Sequence, residues 1–182
     1  MAQQNTLKTK AQRSDAIASM IRVNQAGEYG AKRIYAGQLA IMGDRTPAAR
    51  SIAHMAEQED RHLTAFDALM AERGVRPTLL HPIWDVAGFA LGAVTAAIGP
   101  EAAMACTVAV ETEIDRHYSE QLEQLGDTDP ELAAMVADFQ ADELEHKATA
   151  LAQGAERAPA YPIMSAAIRL GCRTAIAVSK RI

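Results

Sequence analysis

Glu-Asp-Arg-His at positions 59–62 and Glu-Leu-Glu-His at positions 143–146 are the two stretches that decide the fold of this 182-residue chain. Each is a Glu-x-x-His unit, and side chains three residues apart share one face of a helix. Glutamate and histidine on one helical face can bind one metal ion together. A single such unit is common on exposed helices, but two units in one chain indicate a repeat.

Each unit has an upstream glutamate at nearly the same distance. Glu28 lies 31 residues before Glu59, and Glu111 lies 32 residues before Glu143. With a rise of about 1.5 Å per residue and a turn between each pair, the two glutamates of each antiparallel hairpin stand at one height. Two packed hairpins would then place four carboxylates and two imidazoles at one level inside a four-helix bundle.

Four carboxylates in a bundle core would repel one another unless positive charge compensates them. Two divalent metal ions supply that charge. The set is typical of di-iron carboxylate bundles, with a glutamate from each of two helices and Glu-x-x-His from the other two. Its oxygen-rich composition suits iron or manganese better than zinc. The candidate ligands are Glu28, Glu59, His62, Glu111, Glu143 and His146. The alternative, solvated surface charges, does not account for the duplicated spacing.

Capping residues, prolines and glycines divide the chain into six predicted helices. Alanine supplies 38 of the 182 residues and aromatics only 4%, a composition that favours an all-α fold. The predicted segments run 14–43, 46–74, 82–99, 101–126, 129–154 and from about 160 almost to the terminus. Ser14 is the expected first N-cap. We therefore expect a flexible N-terminal tail over 1–13 and a single domain over 14–182.

Composition excludes several classes of function. The net charge of −5 argues against nucleic acid as a partner. Cys106 and Cys172 cannot form a CxxC metal site or a disulfide framework, so a reducing compartment is expected. The polar N-terminus has no apolar core of a secretory signal. A bacterial cytoplasm is the preferred location, with a mature organellar form as the alternative.

Two segments predict contact with a membrane surface. Positions 86–100 carry no charge, but a spanning helix needs about 20 apolar residues, so this segment is not expected to cross a bilayer. A buried central helix is the alternative. Trp84 stands where an interfacial anchor would lie. Arg169, Arg173 and Lys180 share a helical face, as in a basic amphipathic helix on anionic lipid.

Several further residues are weaker candidates. Tyr35 and Tyr118 each follow an upstream glutamate by seven residues. His117 and Tyr118 are candidate catalytic residues that lie just outside the ligands and position substrate or relay protons and electrons, or they are fillers at the bundle edge. Aspartates that either bond the ligand histidines or face water are Asp60 and Asp142. Residues expected at the surface, in a loop or in the core, rather than as ligands, are His54, His81 and Cys106.

Several longer motifs resemble the demethoxyubiquinone hydroxylases of ubiquinone biosynthesis. They are Arg-Val-Asn-Gln-Ala-Gly-Glu-Tyr-Gly-Ala (22–31), Arg-Ile-Tyr-Ala-Gly-Gln (33–38), Gly-Phe-Ala-Leu-Gly-Ala (88–93), Ala-Met-Ala-Cys-Thr-Val-Ala-Val-Glu (103–111), Asp-Glu-Leu-Glu-His (142–146), Ala-Pro-Ala-Tyr (158–161) and Gly-Cys-Arg (171–173). The resemblance covers nearly everything after residue 14, and all six ligand positions are filled.

The resemblance implies a ferritin-like four-helix bundle with two additional, membrane-associated helices. It implies O2-dependent hydroxylation of a polyprenyl methoxy-methyl-benzoquinol at two Fe2+ ions. Glu59 and Glu143 would bridge both irons, with Glu28 and His62 completing one iron and the remaining pair, at 111 and 146, the other. NADH, a reductase or the quinone pool would supply electrons. The protein would lie on the cytoplasmic face of a bacterial inner membrane, or on the matrix side of the mitochondrial inner membrane. A lipid-binding accessory protein would be a possible partner.

Two other functions remain open from the sequence. A ferritin-like iron-storage or peroxide-scavenging protein would share the bundle and the ligand pattern, but it has little need for the apolar third helix. A non-enzymatic helical adaptor would carry the same residues as ordinary surface charges. Iron content separates the adaptor from the other two, and formation of a hydroxylated quinol separates hydroxylase from storage.

Overall fold

The computed structural model describes residues 9–181, and every regular element in that range is helical. The helices are α1 (Lys10–Met42), α2 (Pro47–Arg73), α3 (His81–Ile98), α4 (Pro100–Leu125), α5 (Pro130–Ala152) and α6 (Tyr161–Ser179), with a 3-10 turn at Ala155–Arg157 before α6. The all-α prediction is confirmed.

The capping residues, prolines and glycines noted in the sequence set most of the helix ends. The Thr46 hydroxyl accepts a hydrogen bond from the Ala49 N–H at 3.0 Å, and proline follows at the first helical position. The Asp129 carboxylate caps α5 in the same way through the Leu132 N–H. Gly74 ends α2 with φ of 64°, a left-handed conformation that glycine adopts without strain.

The first helix begins earlier than predicted. It starts at Lys10 rather than after Ser14, because Thr9 and Gln12 form a capping box in which each side chain bonds the other's backbone N–H. Residues 10–13 therefore belong to α1 and not to the predicted tail. The rest of the predicted tail, apart from the capping residue, lies outside the described residues.

Two hairpins form the bundle, α1 with α2 and α4 with α5. Apolar clusters fill the core on either side of its middle. One cluster contains Ile52 and Met104, and the other contains Phe66, Leu125 and Phe139. The glutamates and histidines singled out from the sequence occupy the level between these clusters, so apolar packing closes the site from both ends.

The third helix packs against α1 with the two backbones in contact. A Cβ placed on Gly92 would lie 1.9 Å from the Ile34 carbonyl oxygen, and one on Gly37 would lie 2.1 Å from the Phe89 carbonyl oxygen. No side chain fits at either distance. Glycine at position 92 of the Gly-Phe-Ala-Leu-Gly-Ala motif, and at position 37 of α1, therefore allows the two helices to pack this closely.

The sixth helix packs on α4, and its end meets the start of α3. The Trp84 indole N–H donates to the Ser179 hydroxyl at 3.2 Å. Ile168 belongs to a buried cluster with Cys106, against which Leu91 of α3 also packs. The two added helices thus lie over the α1–α4 side of the bundle.

The outer faces of these two helices are apolar and exposed. Val86 and Val94 of α3 are 68% and 60% exposed, and Ile163 and Leu170 of α6 are 75% and 65% exposed. Among the described residues, α3 alone meets the length and composition of a candidate membrane span, and only 17% of it is buried. The alternative of a buried central helix is therefore wrong.

Two of the three cations on the predicted basic face of α6 form ion pairs with the bundle. Arg169 and Arg173 turn toward α4, where their guanidinium groups lie 2.6 Å and 2.8 Å from the Glu113 carboxylate, and Arg116 lies 3.0 Å from it. Glu113 is fully buried, and a buried charge requires a partner. No motif or repeat in the sequence singles out this glutamate. Lys180 is exposed, as expected.

Candidate metal centre

Four helices bring six side chains together at the middle of the bundle. Each of the six is at most 1% exposed. They are Glu28 on α1, Glu59 and His62 on α2, Glu111 on α4, and Glu143 and His146 on α5. These are the six positions named from the sequence.

The six side chains form two overlapping groups of four that could each hold a metal ion. One joins Glu28 and His62 to Glu59 and Glu143, and the other joins Glu111 and His146 to the same two glutamates. Within each group the ligand atoms lie within 4.8 Å of one another. Glu59 and Glu143 are common to both groups, so each of them could contact both ions.

Both imidazoles present the same nitrogen to the carboxylates. His62 Nδ1 lies 3.3 Å from oxygens of Glu28 and Glu143. His146 Nδ1 lies 3.2 Å from Glu143 and 3.4 Å from Glu59. The Nε2 atoms therefore point away from the cluster and are free to bond other residues.

The chemistry of these donors fits a pair of cations. Among the described residues, both oxygens of Glu59 and of Glu143, one oxygen of Glu111 and Nδ1 of His146 are buried without a hydrogen-bond partner. Buried polar atoms without partners are rare because each carries a desolvation penalty. Metal coordination satisfies all of them.

Proton affinities in the cluster reflect the same excess of negative charge. Burial, with Glu143 and Glu28 nearby, raises the pKa of Glu59 well above its usual range. Burial would lower the pKa of His62, but the adjacent carboxylates of Glu143 and Glu28 raise it to about 10. Without metal, the site retains protons to balance its charge. A divalent cation would displace them.

Two buried tyrosines bond the upstream glutamates across the bundle. The Tyr35 hydroxyl of α1 donates to Glu111 of α4 at 2.6 Å, and the Tyr118 hydroxyl of α4 donates to Glu28 of α1. Burial and the adjacent carboxylates raise the pKa of both phenols well above the ordinary value. Both therefore stay protonated and serve as donors that orient the carboxylates.

His117 lies in a different environment from its neighbour Tyr118. Its Nε2 is 2.8 Å from the Gln121 amide nitrogen, and Gln121 exchanges two hydrogen bonds with Asn24. Burial, with Lys180 and Arg116 nearby, lowers the pKa of His117 to about 4. It is a neutral imidazole in a buried polar network. Of the predicted pair, Tyr118 is the member that bonds a ligand glutamate.

The two candidate aspartates lie in different environments. Asp142 Oδ2 lies 2.9 Å from His62 Nε2, whereas Asp60 pairs with Lys32 at the exposed surface. Gln58, which sequence reasoning missed, bonds His146 Nε2 at 3.1 Å. Gln58 precedes Glu59 as Asp142 precedes Glu143, so the repeat contained the signal that could have found it.

The remaining candidates lie away from the metal groups. His54 is exposed on α2. His81 begins α3, where its Nε2 lies 2.8 Å from the Gln25 amide oxygen and its ring packs on Tyr29. Cys106 is fully buried in the core beneath α6. The exposed His54 and the buried Cys106 lie as expected, whereas His81 is half-buried in the first turn of α3 rather than in a loop.

Comparison with known proteins identifies the family of this site. The family described as ubiquinone biosynthesis protein COQ7 matches residues 15–179. This chain belongs to the COQ7 family. The match spans all four helices that supply the metal groups and both added helices.

Individual COQ7 relatives are similar over most of their length. The 3-demethoxyubiquinol 3-hydroxylase of Rhodospirillum rubrum is 52% identical over 91% of this chain and 78% of the relative. The human NADPH-dependent mitochondrial 3-demethoxyubiquinone 3-hydroxylase is 50% identical over 92% and 78%. The mitochondrial 5-demethoxyubiquinone hydroxylase of Saccharomyces cerevisiae is 42% identical over 93% and 81%. The resemblance predicted from the motifs is confirmed, and these relatives favour hydroxylase over the storage alternative.

Proposed function

We propose that this protein is a di-iron monooxygenase that hydroxylates demethoxyubiquinol with O2. The observation that carries the proposal is the pair of buried metal groups that share Glu59 and Glu143 in a chain of the COQ7 family. Two ferrous ions bound there would supply the electrons and the binding site with which O2 is activated for attack on the electron-rich ring.

Each protein group has a defined task in this proposal. Glu59 and Glu143 would be shared by the two irons, Glu28 and His62 would hold one iron, and Glu111 and His146 would hold the other. Tyr35 and Tyr118 hold the upstream glutamates by hydrogen bonds from their hydroxyl groups. Apolar packing above and below excludes water, which protects reactive oxygen chemistry.

The polyprenyl substrate gives the apolar face of α3 and α6 a role. We propose that this face, defined by Val86, Val94, Ile163 and Leu170, rests on the bilayer that holds the prenyl tail. Arg169 and Arg173 also pair with Glu113, and we propose that apolar insertion contributes more to the contact than cation attraction does. The protein would then be a peripheral membrane protein on the cytoplasmic face of a bacterial inner membrane, or on the matrix side in a mitochondrion.

The proposed reaction also needs an electron donor. Several mitochondrial relatives are named NADPH-dependent, and NADH, a reductase or the quinone pool would satisfy the same chemistry here. A lipid-binding accessory protein would help extract a substrate that resides in the bilayer.

A direct assay tests the hydroxylase proposal. Anaerobically iron-loaded protein is given demethoxyubiquinol, NADH or NADPH, and then isotopically labelled O2, and the quinone product is weighed by mass spectrometry. The expected product gains one oxygen atom that carries the label. Oxidation of many irons per chain, with no labelled quinone under any donor, would instead identify a storage protein.

Vesicle binding tests the membrane surface. Replacing Val86 and Leu170 by Asp should reduce partitioning to both neutral and anionic vesicles, because each change places a charge at the apolar face. Replacing Arg169 and Arg173 by Gln should change partitioning to anionic vesicles much less. The reverse order of effects would restore the electrostatic interpretation drawn from the sequence.

A further inference from the structure

The two ligand histidines have chemically different partners at their outer nitrogens. His62 Nε2 lies 2.9 Å from a carboxylate oxygen of Asp142. His146 Nε2 lies 3.1 Å from the amide oxygen of Gln58. Because Nδ1 of each ring faces the glutamates, each Nε2–H donates outward. One imidazole is therefore held by a negative group and the other by a neutral group.

These two partners occupy equivalent places in the repeat. Asp142 immediately precedes Glu143, and Gln58 immediately precedes Glu59, 84 positions earlier. Each reaches from its own helix to the histidine of the other hairpin. The backbone of the site is thus nearly symmetric, while the charge behind its two histidines is not.

The contact with Asp142 sets the charge nearest to His62. Asp142 also pairs with Arg61, whose other partner is Asp138 at 3.2 Å. Arg61 and Asp138 are more than half exposed, so solvent screens their charges, and of these three groups the carboxylate of Asp142 lies closest to the buried imidazole. Phe139 covers the ring of His62 by stacking at 4.0 Å between centroids.

The other histidine lies beneath a surface cavity, although its own side chain is buried. His146 and Gln58 line this cavity, which has a volume of about 370 Å³ and whose other walls include Arg50 and Glu145. Charges of both signs border the cavity, so the protein gives His146 no net negative partner.

We infer that Asp142 and Gln58 make the two metal positions unequal, so that the position of His62 binds a divalent ion more tightly than the position of His146. The inference rests on the proposed di-metal centre. A carboxylate behind a ligand imidazole raises its basicity and fixes its orientation, and loss of such a partner changes metal affinity by roughly 10- to 100-fold. An amide partner orients the ring without adding charge. Asp142 and Gln58 are positioning residues that act through the two histidines.

Stepwise metal titration tests the inference. The full-length metal-free protein is titrated anaerobically with Co2+, and binding is followed by calorimetry and by the visible ligand-field bands. Wild type should bind two ions in separate steps. Asp142→Asn keeps an acceptor for His62 but removes its charge, so the tight step should weaken by roughly 10-fold or more. Gln58→Glu should tighten the weak step.

Asp138→Asn is the matched control, since it removes the same charge from the same helix one turn away and leaves the His62 contact intact. It should change neither the first binding step nor its visible spectrum, whereas Asp142→Asn should change both. Circular dichroism establishes that each variant is folded.

The possible outcomes separate the two proposals. Two equal steps in wild type, or identical effects of Asp142→Asn and Asp138→Asn, would overturn the inequality and leave the di-metal centre standing. Absence of any Co2+ or Fe2+ binding by folded wild type would overturn the proposed function and this inference together.

Discussion

At the scale of the residue, the ligand glutamates are placed where they weaken the metal-free core. Glu59 is fully buried, neither of its carboxylate oxygens has a hydrogen-bond partner among the described residues, and burial raises its pKa. Such a group stabilises the folded state only when a cation compensates it. Function and stability therefore make opposite demands on this position.

Glu59→Gln should accordingly separate metal binding from folding. We expect the variant to lose bound iron and hydroxylation, while the metal-free protein gains about 1 kcal/mol of unfolding free energy, since a neutral amide replaces a buried carboxylate. Glu57→Gln, at an exposed position two residues earlier on α2, is the control and should change neither property. Iron analysis and urea unfolding of the metal-free forms measure both effects. Full iron content in the Glu59 variant would contradict the ligand assignment.

At the scale of the element, the docking of α3 depends on the absence of side chains. Gly92→Ala places a Cβ against the Ile34 carbonyl and should push α3 from α1, with a loss of roughly 1–3 kcal/mol. Gly171→Ala is the matched control, because a Cβ at this α6 glycine meets nothing within 4 Å. It should stabilise the protein by about 0.5–1 kcal/mol, as alanine favours helix over glycine. Thermal unfolding and hydrogen exchange in α3 provide the measurements. Equal effects of the two substitutions would show that the backbone contact is unimportant.

The sixth helix is fixed to the bundle by charge. Hydrogen bonds from Arg173 and Arg169 outweigh burial and lower the pKa of Glu113 to about 2. Because this folded-state pKa is below the ordinary value of 4.5, the ion cluster contributes stability above about pH 4.5, and this contribution is lost as the pH falls toward 2.

Glu113→Gln should therefore remove that part of the acid sensitivity. At pH 7 we expect a loss of about 2 kcal/mol, from hydrogen bonds to a charged group, and a smaller difference from wild type at pH 3. Glu120→Gln is the control on the same helix, since it also pairs with Arg116 at 2.6 Å but is exposed. Denaturant unfolding at several pH values tests the pair. A difference that stays constant from pH 7 to pH 3 would exclude the titration of Glu113 as the cause.

At the scale of the whole molecule, metal binding and folding are linked through all four bundle helices. An ion bound only by the folded state adds about 2.7 kcal/mol at a concentration 100 times its dissociation constant. In a chain of this length each kcal/mol raises Tm by about 2–4 °C. Anaerobic Mn2+ or Fe2+ at saturation should raise Tm by on the order of 10 °C, and a chelator should reverse the change. An unchanged Tm in calorimetry, with and without metal, would show that the groups do not bind these ions.

The helices, the six clustered positions and the family could all be predicted from the sequence. Helix ends follow from local hydrogen bonds and backbone conformations, as at Thr46 and Gly74, so they can be predicted from neighbouring residues. The six metal-site positions were predictable because a repeat with a fixed helical rise leaves each side chain at one height. The start of α1 was missed because the capping pair of Thr9 and Gln12 lies in a stretch that otherwise has no apolar pattern.

Only the tertiary structure decided which side chains meet across different helices. Arg169 and Arg173 share a helical face in the sequence, but that face points at Glu113, some 56 and 60 residues away along the chain. Asp142 and Gln58 likewise contact histidines of the opposite hairpin, His62 and His146. Contacts of this kind depend on the crossing of helices and on how closely glycine lets α3 approach α1. Periodicity along one helix fixes the direction of a side chain, but not the charge that it meets.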